Sequence, residues 1–227
     1  MRLLHNQFRF QFEFEENRKN LLIVERPEIF SKVVWELSEE AQEEESGFVL
    51  SENDKIIKKR ENLNCVINPW EISLNEKKIL NRLNEILKKE IQSSDLLLES
   101  NRIYALIEEF ALHLLQNIDF ELVYSDKTDV QNLLKFMDIR FNDGQGTLLE
   151  KIVDYVKVSH ELLGYQCFVF VHLLSYLSCY EMKKLYEYMQ YQKIPILLLE
   201  SRQPKDIKEF SNIVIIDEDA CEIMLDV

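Results

Sequence analysis

Four short runs in the chain are almost continuously apolar: LLIV at 21–24, CFVFV at 167–171, ILLLE at 196–200 and IVII at 213–216. A strand with one wet face alternates apolar and polar residues, so runs like these belong to strands buried on both faces. Helical patterns follow the first run and separate the other three. Such alternation predicts a mostly parallel α/β sheet covered on both sides, with right-handed crossovers. LLIV stands far from the other three runs, so the α/β head is split in sequence.

What flanks and divides the head is legible in the periodicity. FRFQFEFE places Phe8, Phe10, Phe12 and Phe14 on alternate residues, the mark of a strand with one aromatic face. Pro27 and Glu28 suit the first turn of a helix whose stripe is Ile29, Phe30, Val33, Val34 and Leu37, ending in the acidic run EEAQEEES. Strand-like pieces follow at 48–50, 55–57 and 63–67. From Ser73 to Ile118 the pattern is helical throughout, opened by Ser73-x-x-Glu76 as a capping box. Two long amphipathic helices joined near Ser93 to Asp95 form an antiparallel pair, and a shorter helix carries Val130, Leu133, Leu134 and Met137. Thr147-x-x-Glu150 and Ser178-x-x-Glu181 open two further helices. The reading is an α/β head over residues 1–70 and 155–227, with a helical leg inserted at 71–154.

Chemistry is sparse. The four glycines are Gly47, Gly144, Gly146 and Gly164, and none stands in the turn after LLIV or after CFVFV. Neither a P-loop nor a dinucleotide fingerprint occurs, so the backbone has no cradle to close around a phosphate. His5, His113, His160 and His172 have no metalloprotease spacing, and no nucleophile elbow is present. The chain is therefore expected not to be an enzyme. Cys65, Cys167, Cys179 and Cys221 are widely spaced and form no C-x-x-C pair, which fits free thiols in a reducing compartment. No run approaches the length of a membrane span, and the first residues lack a signal-peptide core, so a cytoplasmic protein without membrane partners is expected.

Asp119, Glu121, Asp126 and Asp129 lie close together between two helices. Oxygen-rich connecting segments suit calcium, though the run is not an EF-hand; the other reading is a solvated loop in which Asp126 or Thr128 caps the next helix. Lysine and arginine group at Lys55, Lys58, Lys59 and Arg60, and again at Lys77, Lys78, Lys88 and Lys89, with Lys135 and Arg140 more isolated. By themselves these are solvated faces, the second group pairing with Glu76, Glu85 and Glu90 on its own helix. A net charge of −14 repels nucleic acid unless positive charge is segregated.

Several segments, in order along the chain, resemble the small adaptation proteins of type II-A CRISPR loci. LLIVERPEIFSKVVWEL is similar to that family's opening strand and helix. DVQNLLKFMDIRF followed by TLLEKIVDYVKV is similar to its return from leg to head, and CFVFVHLLSYLSCYEMKKLYEYMQYQKIPILLLESR to its last strand–helix–strand unit. The resemblance implies a head related to nucleotide-hydrolase folds but without the phosphate loop, plus a helical leg. It implies a homotetrameric ring that encircles double-stranded DNA ends, is held in shape by calcium, and assists spacer acquisition together with integrase proteins and an RNA-guided nuclease. Carried over by position, Asp119, Glu121 and Asp126 are the calcium ligands and Glu150 matches a family glutamate. Lys55, Lys58, Lys59, Lys135 and Arg140 fall at basic, DNA-facing positions. A closed ring would gather a few lysines per subunit into one basic channel while its outside stays acidic. Two other classes compete with this one: a degenerate nucleotide hydrolase, and a protein–protein adaptor that makes no DNA contact.

Overall fold

The computed structural model describes residues 1–15, 18–38, 46–93, 95–123, 129–143, 146–204 and 207–226. Two compact units result, one from residues 1–74 and 143–227, the other from residues 75–142.

The first unit is the α/β head. Its main sheet has the order β10-β9-β3-β8-β7-β6, built from β3 (Asn20–Val24), β6 (Leu63–Val66), β7 (Cys167–Val171), β8 (Ile196–Glu200), β9 (Asn212–Ile216) and β10 (Glu222–Asp226). All neighbours are parallel except β10, which runs antiparallel to β9. All four apolar runs of the sequence are strands of this sheet. They are buried on both faces, because alternate residues face opposite ways: Leu22, Val24, Val169, Leu197, Leu199 and Val214 share one cluster, while Leu21, Ile23, Phe168, Phe170 and Leu198 are equally buried behind them. Full burial of a Leu or Ile side chain contributes roughly 1.5–3 kcal/mol, so these strands carry much of the head's stability.

A second sheet was not apparent as a unit in the sequence. It is antiparallel, in the order β2-β1-β4-β5, from β1 (Arg2–His5), β2 (Gln11–Glu13), β4 (Phe48–Glu52) and β5 (Lys55–Ile57). The alternating phenylalanines extend beyond the strand they mark. Phe10, Phe12 and Phe14 are buried in the same cluster as the main sheet, whereas Phe8 precedes β2 in the turn and is half-buried. Helix α1 (Pro27–Leu37) opens with Pro27 and adds Val33 and Leu37 to that cluster. A four-residue helix, α2 (Lys59–Asn62), leads into β6. The helices α6 (Leu148–Val158) and α7 (Cys179–Tyr191) both begin with the capping boxes read from the sequence: Thr147 with Glu150, and Ser178 with Glu181.

The inserted unit holds α3 (Lys77–Ser93), α4 (Leu96–Gln116) and α5 (Val130–Met137), with α3 packed against both others. It is shorter than residues 71–154, because Asp143 and α6 belong to the head. Ser73 does not sit directly before a helix: α3 begins at Lys77, and the Ser73 hydroxyl donates to Asp143 Oδ2 at 2.6 Å, which also accepts from the Leu74 N–H at 2.8 Å. Within the insertion, Asn75 Nδ2 donates to the Phe141 carbonyl at 3.1 Å, and its Oδ1 accepts from the Phe141 N–H at 2.9 Å. That side chain stands in for one rung of an antiparallel ladder.

Beside the small sheet lies a buried polar knot. His5 Nε2 and Glu36 Oε2 are 2.8 Å apart, and the Gln7 N–H donates to His5 Nδ1 at 3.1 Å, so the imidazole donates its Nε2 proton to the carboxylate. Gly47 runs close above: a Cβ there would lie 2.4 Å from His5 Nε2. The ring is buried among Phe8, Phe10 and Phe48 and tied to Glu36, so it has no room to yield. Gly47→Ala is expected to destabilise the protein by about 1–3 kcal/mol, the usual cost of overpacking, measured as a lower urea midpoint at unchanged slope.

Candidate nucleic-acid interface

In the helical unit, α3 turns Asn81, Asn84, Glu85 and Lys88 to one side, residues at helical spacing that form a single stripe. Gln131, Leu134 and Lys135 of α5 face them across an open groove of about 360 Å³. The position of α5 follows from its ends and its apolar side. Asp129 caps it, accepting from the Gln131 N–H at 3.2 Å; Asp138 closes it in the left-handed conformation at φ 47°; Val130 and Leu134 are buried. Lys135, one residue beyond Leu134, is thereby turned to solvent at the groove. Glu85 is held by Arg82 at 2.6 Å, whereas neither Lys88 nor Lys135 has an ion-pair partner among the described residues. Two unpaired ammonium groups with three amide side chains offer hydrogen-bond donors and positive charge to an anion, the chemistry of phosphate contact.

The other basic residues expected at this interface separate. Lys55, on β5, is exposed. Lys58 is exposed and its ammonium lies 2.7 Å from Glu61 Oε1. Arg140 pairs with Asp138 at 2.9 Å. Lys59 departs from expectation. It is 2 % exposed, and its ammonium donates to the Glu36 carbonyl and to Ser46 Oγ, the latter at 3.0 Å. Lys58 is the extended residue before α2 and Lys59 its first helical residue, so the two side chains leave the backbone in different directions. The knot around Glu36 takes the second of them. Lys59 is thus a buried lysine that ties α2 to Glu36 and Ser46, not an exposed member of a basic face.

The acidic residues also divide. Asp119 and Glu121 are exposed on the coil that follows α4, and Asp126 lies outside the described residues. Asp129 is spent as the α5 cap. Glu150 is absorbed by its capping box, where Oε2 accepts from the Thr147 N–H at 2.7 Å. That backbone bond, with a second one from the Thr147 hydroxyl, holds its carboxyl below the usual carboxylate range. Calcium takes six to eight oxygens. Among the described residues no three His, Cys, Asp or Glu side chains converge to hold a metal.

The stripe of Asn81, Asn84 and Lys88, with Gln131 opposite, was missed in the sequence. Its signal was present as polar residues at helical spacing beside the apolar stripe of Ile79, Leu83, Ile86 and Leu87. What pattern alone did not supply was α5 lying against that side. Helix α4 has the reverse character: Leu98, Leu106, Ile107 and Phe110 are exposed, and of the whole helix only Ser100 is fully buried.

A mostly parallel α/β head with no glycine in the β3–α1 turn, interrupted by a helical insertion, defines an α/β protein whose sequence carries no P-loop motif. A family model described as CRISPR-associated protein (Cas_Csn2) matches residues 40–220, and the chain belongs to that family. A curated relative, the CRISPR-associated protein Csn2 of Streptococcus agalactiae, is 25% identical over 127 residues; the match takes in 53% of this chain and 56% of the relative, so the chain spans about half the length of the relative it matches. Among solved structures, the ADP conformation of an ATP-binding cassette of an ABC transporter aligns with 91% of this chain and 79% of its own, at 9% identity and a TM-score of 0.45. No helix among the described residues is long and apolar enough to cross a membrane.

The two neighbouring lysines of α2 should behave oppositely. Lys59→Ala is expected to lower stability by about 1–3 kcal/mol, because it removes a charged donor from buried acceptors. Lys58→Ala, which breaks an exposed ion pair, should change it by less than about 1 kcal/mol. Urea unfolding of the two single variants measures both.

Proposed function

We propose that this CRISPR-associated protein is a non-catalytic, sequence-independent binder of double-stranded DNA. It works in the cytoplasm as a homotetrameric ring on duplex ends, alongside integrase proteins and an RNA-guided nuclease during spacer acquisition. The observation that carries the reading is the groove between α3 and α5, where Lys88 and Lys135 have no ion-pair partner among the described residues and stand with Asn81, Asn84 and Gln131 around them. In a chain of net charge −14, this is positive charge segregated in the way a polyanion requires. Such side chains meet phosphates and carry no base information. Family membership supports the CRISPR setting. The exposed apolar surface of α4, with Leu98 at 63 %, Leu106 at 65 % and Phe110 at 68 %, supports assembly, and its occupant in this reading is a second copy of the chain. Calcium remains part of the proposal through Asp119, Glu121 and Asp126. The absence of a glycine cradle after β3 and β7 favours a binding role over phosphoryl chemistry.

Replacing Lys88 and Lys135 together by alanine should weaken binding of linear duplex and flatten the slope of log affinity against log salt by about 0.9 for each phosphate that is no longer neutralised. Linear duplex should bind better than covalently closed circles, since a closed ring threads only over an end. Equal affinity for the two forms, measured by competition, would remove the ring from the reading. An unaltered salt slope in the double variant would remove the groove.

Calcium should raise the melting temperature of the parent and enlarge the tetrameric fraction seen by light scattering. A Glu121→Ala, Asp126→Ala variant should lose that response; a variant that responds like the parent would show that the acidic segment holds no ion.

A further inference from the structure

The head contains a cavity that the proposed DNA-binding groove does not use. It opens at the carboxyl ends of β7 and β8 and measures about 390 Å³, within the range of small-molecule sites. In open α/β sheets the carboxyl ends of the strands are where ligands are received. Its innermost charged group is Glu200, the last residue of β8, only 5 % exposed. Glu200 Oε1 accepts from the Leu174 N–H at 3.0 Å, and Oε2 stands 3.4 Å from His172 Nδ1. A carboxylate has about four acceptor positions, so these two partners leave it unsaturated.

Two further features mark the cavity as built. His172 holds φ 56°, a left-handed conformation that costs a non-glycine residue energy, and its ring stacks on Phe30 at 4.8 Å. The strained backbone is what lets the imidazole face Glu200 from the end of β7. Tyr186, from α7, also lines the cavity, and its hydroxyl is buried without a hydrogen-bond partner among the described residues. Burial and the nearby carboxylates of Glu200 and Glu209 push its phenol upward. Burial likewise pushes the Glu200 carboxyl upward, against the smaller opposing effects of the Leu174 N–H and His172. The walls include Leu177, Met182 and Phe210. Arg202, also in the lining, is exposed.

We propose that this cavity binds an organic cation, an alkylammonium or guanidinium group carried on an apolar stem. The cation donates N–H bonds to Glu200 and to the Tyr186 oxygen, and the stem lies against Leu177 and Met182. An anion would meet Glu200 and Glu209 together. A neutral ligand would leave the Glu200 carboxylate with the Leu174 N–H and the more distant His172 as its partners among the described residues. Tyr186 already accommodates a cation on its ring: the Lys19 ammonium lies 4.7 Å from the ring centroid.

The test is a titration of the full chain, followed by amide chemical shifts and calorimetry, with butylammonium, butylguanidinium, butanol and butyrate. The two cations should saturate the protein and shift the amides of Leu174 and Glu200, while butanol and butyrate bind about tenfold more weakly or not at all. Glu200→Gln keeps an acceptor for the Leu174 N–H and removes the charge; it should weaken the cations about tenfold without affecting butanol. Tyr186→Phe should weaken them by a smaller factor. Butyrate or butanol binding as well as the cations would overturn the proposal with no variant needed, as would undiminished cation affinity in a folded Glu200→Gln protein. Nα-acetyl-lysine and Nα-acetyl-arginine methylamides, run beside the free amines, separate the two sources of the cation. Tighter binding of the amino-acid derivatives assigns the cavity to a side chain of a protein partner, and tighter binding of the free amines assigns it to a small metabolite. DNA affinity of Glu200→Gln, which should equal the parent's, keeps this result distinct from the fate of the α3–α5 groove.

Discussion

The head exists because β3 is hydrogen-bonded on both sides by strands from near the other end of the chain. Asn20 pairs with Leu197 of β8 on one side and with Asn212 of β9 on the other. The Asn20 side chain is itself buried at this junction. Its Nδ2 donates to the Ile196 carbonyl at 3.3 Å, and its Oδ1 accepts from Asn212 Nδ2 at 3.1 Å. A one-residue slip in a strand buried on both faces exchanges its two side-chain sets, which apolar packing alone penalises only through shape. A buried amide with fixed partners penalises it through broken hydrogen bonds as well. The two ends of the head's sequence are joined at this point.

Much of this frame was legible before the structure. Continuous apolar runs, proline at a helix start and serine or threonine three residues before glutamate are local signals with one physical meaning each, and α1, α6, α7 and the main strands follow them. The failures come where two local signals compete for one residue. Ser73-x-x-Glu76 has the spacing of a capping box, but Asp143, distant in sequence, takes the serine hydroxyl. Lys59 reads as one lysine in a basic group, but a buried carbonyl and hydroxyl on other elements claim it. Neither outcome is encoded within a window of ten residues. The acidic cluster shows the same limit from another side: Asp129 is a cap first, whatever its neighbours do.

The electrostatics follow from this local ordering. A chain with a large negative balance need not present a negative surface everywhere, because pairing removes charges unevenly. Arg82 occupies Glu85, while Lys88 on the same helix has no ion-pair partner among the described residues. The positive character of the groove thus depends less on how many lysines the chain has than on which carboxylates are already engaged. Two other glutamates, Glu150 and Glu181, are engaged in the same way by backbone N–H groups at helix starts, where they complement the helix dipole.

The insertion departs from and returns to the head at neighbouring residues, with Asp143 binding Ser73 and Leu74, and Asn75 binding Phe141. This geometry orders events on the ribosome. The three helices of residues 75–142 pack against partners close in sequence, so they can form as soon as they emerge. Strands β3 and β6 emerge earlier and yet must wait, since β3 has no parallel partner until β8 and β9 are made and β6 none until β7 is. During synthesis the leg therefore matures while the apolar strands that precede it remain unpaired, which makes the nascent head, and not the leg, the natural client of chaperones.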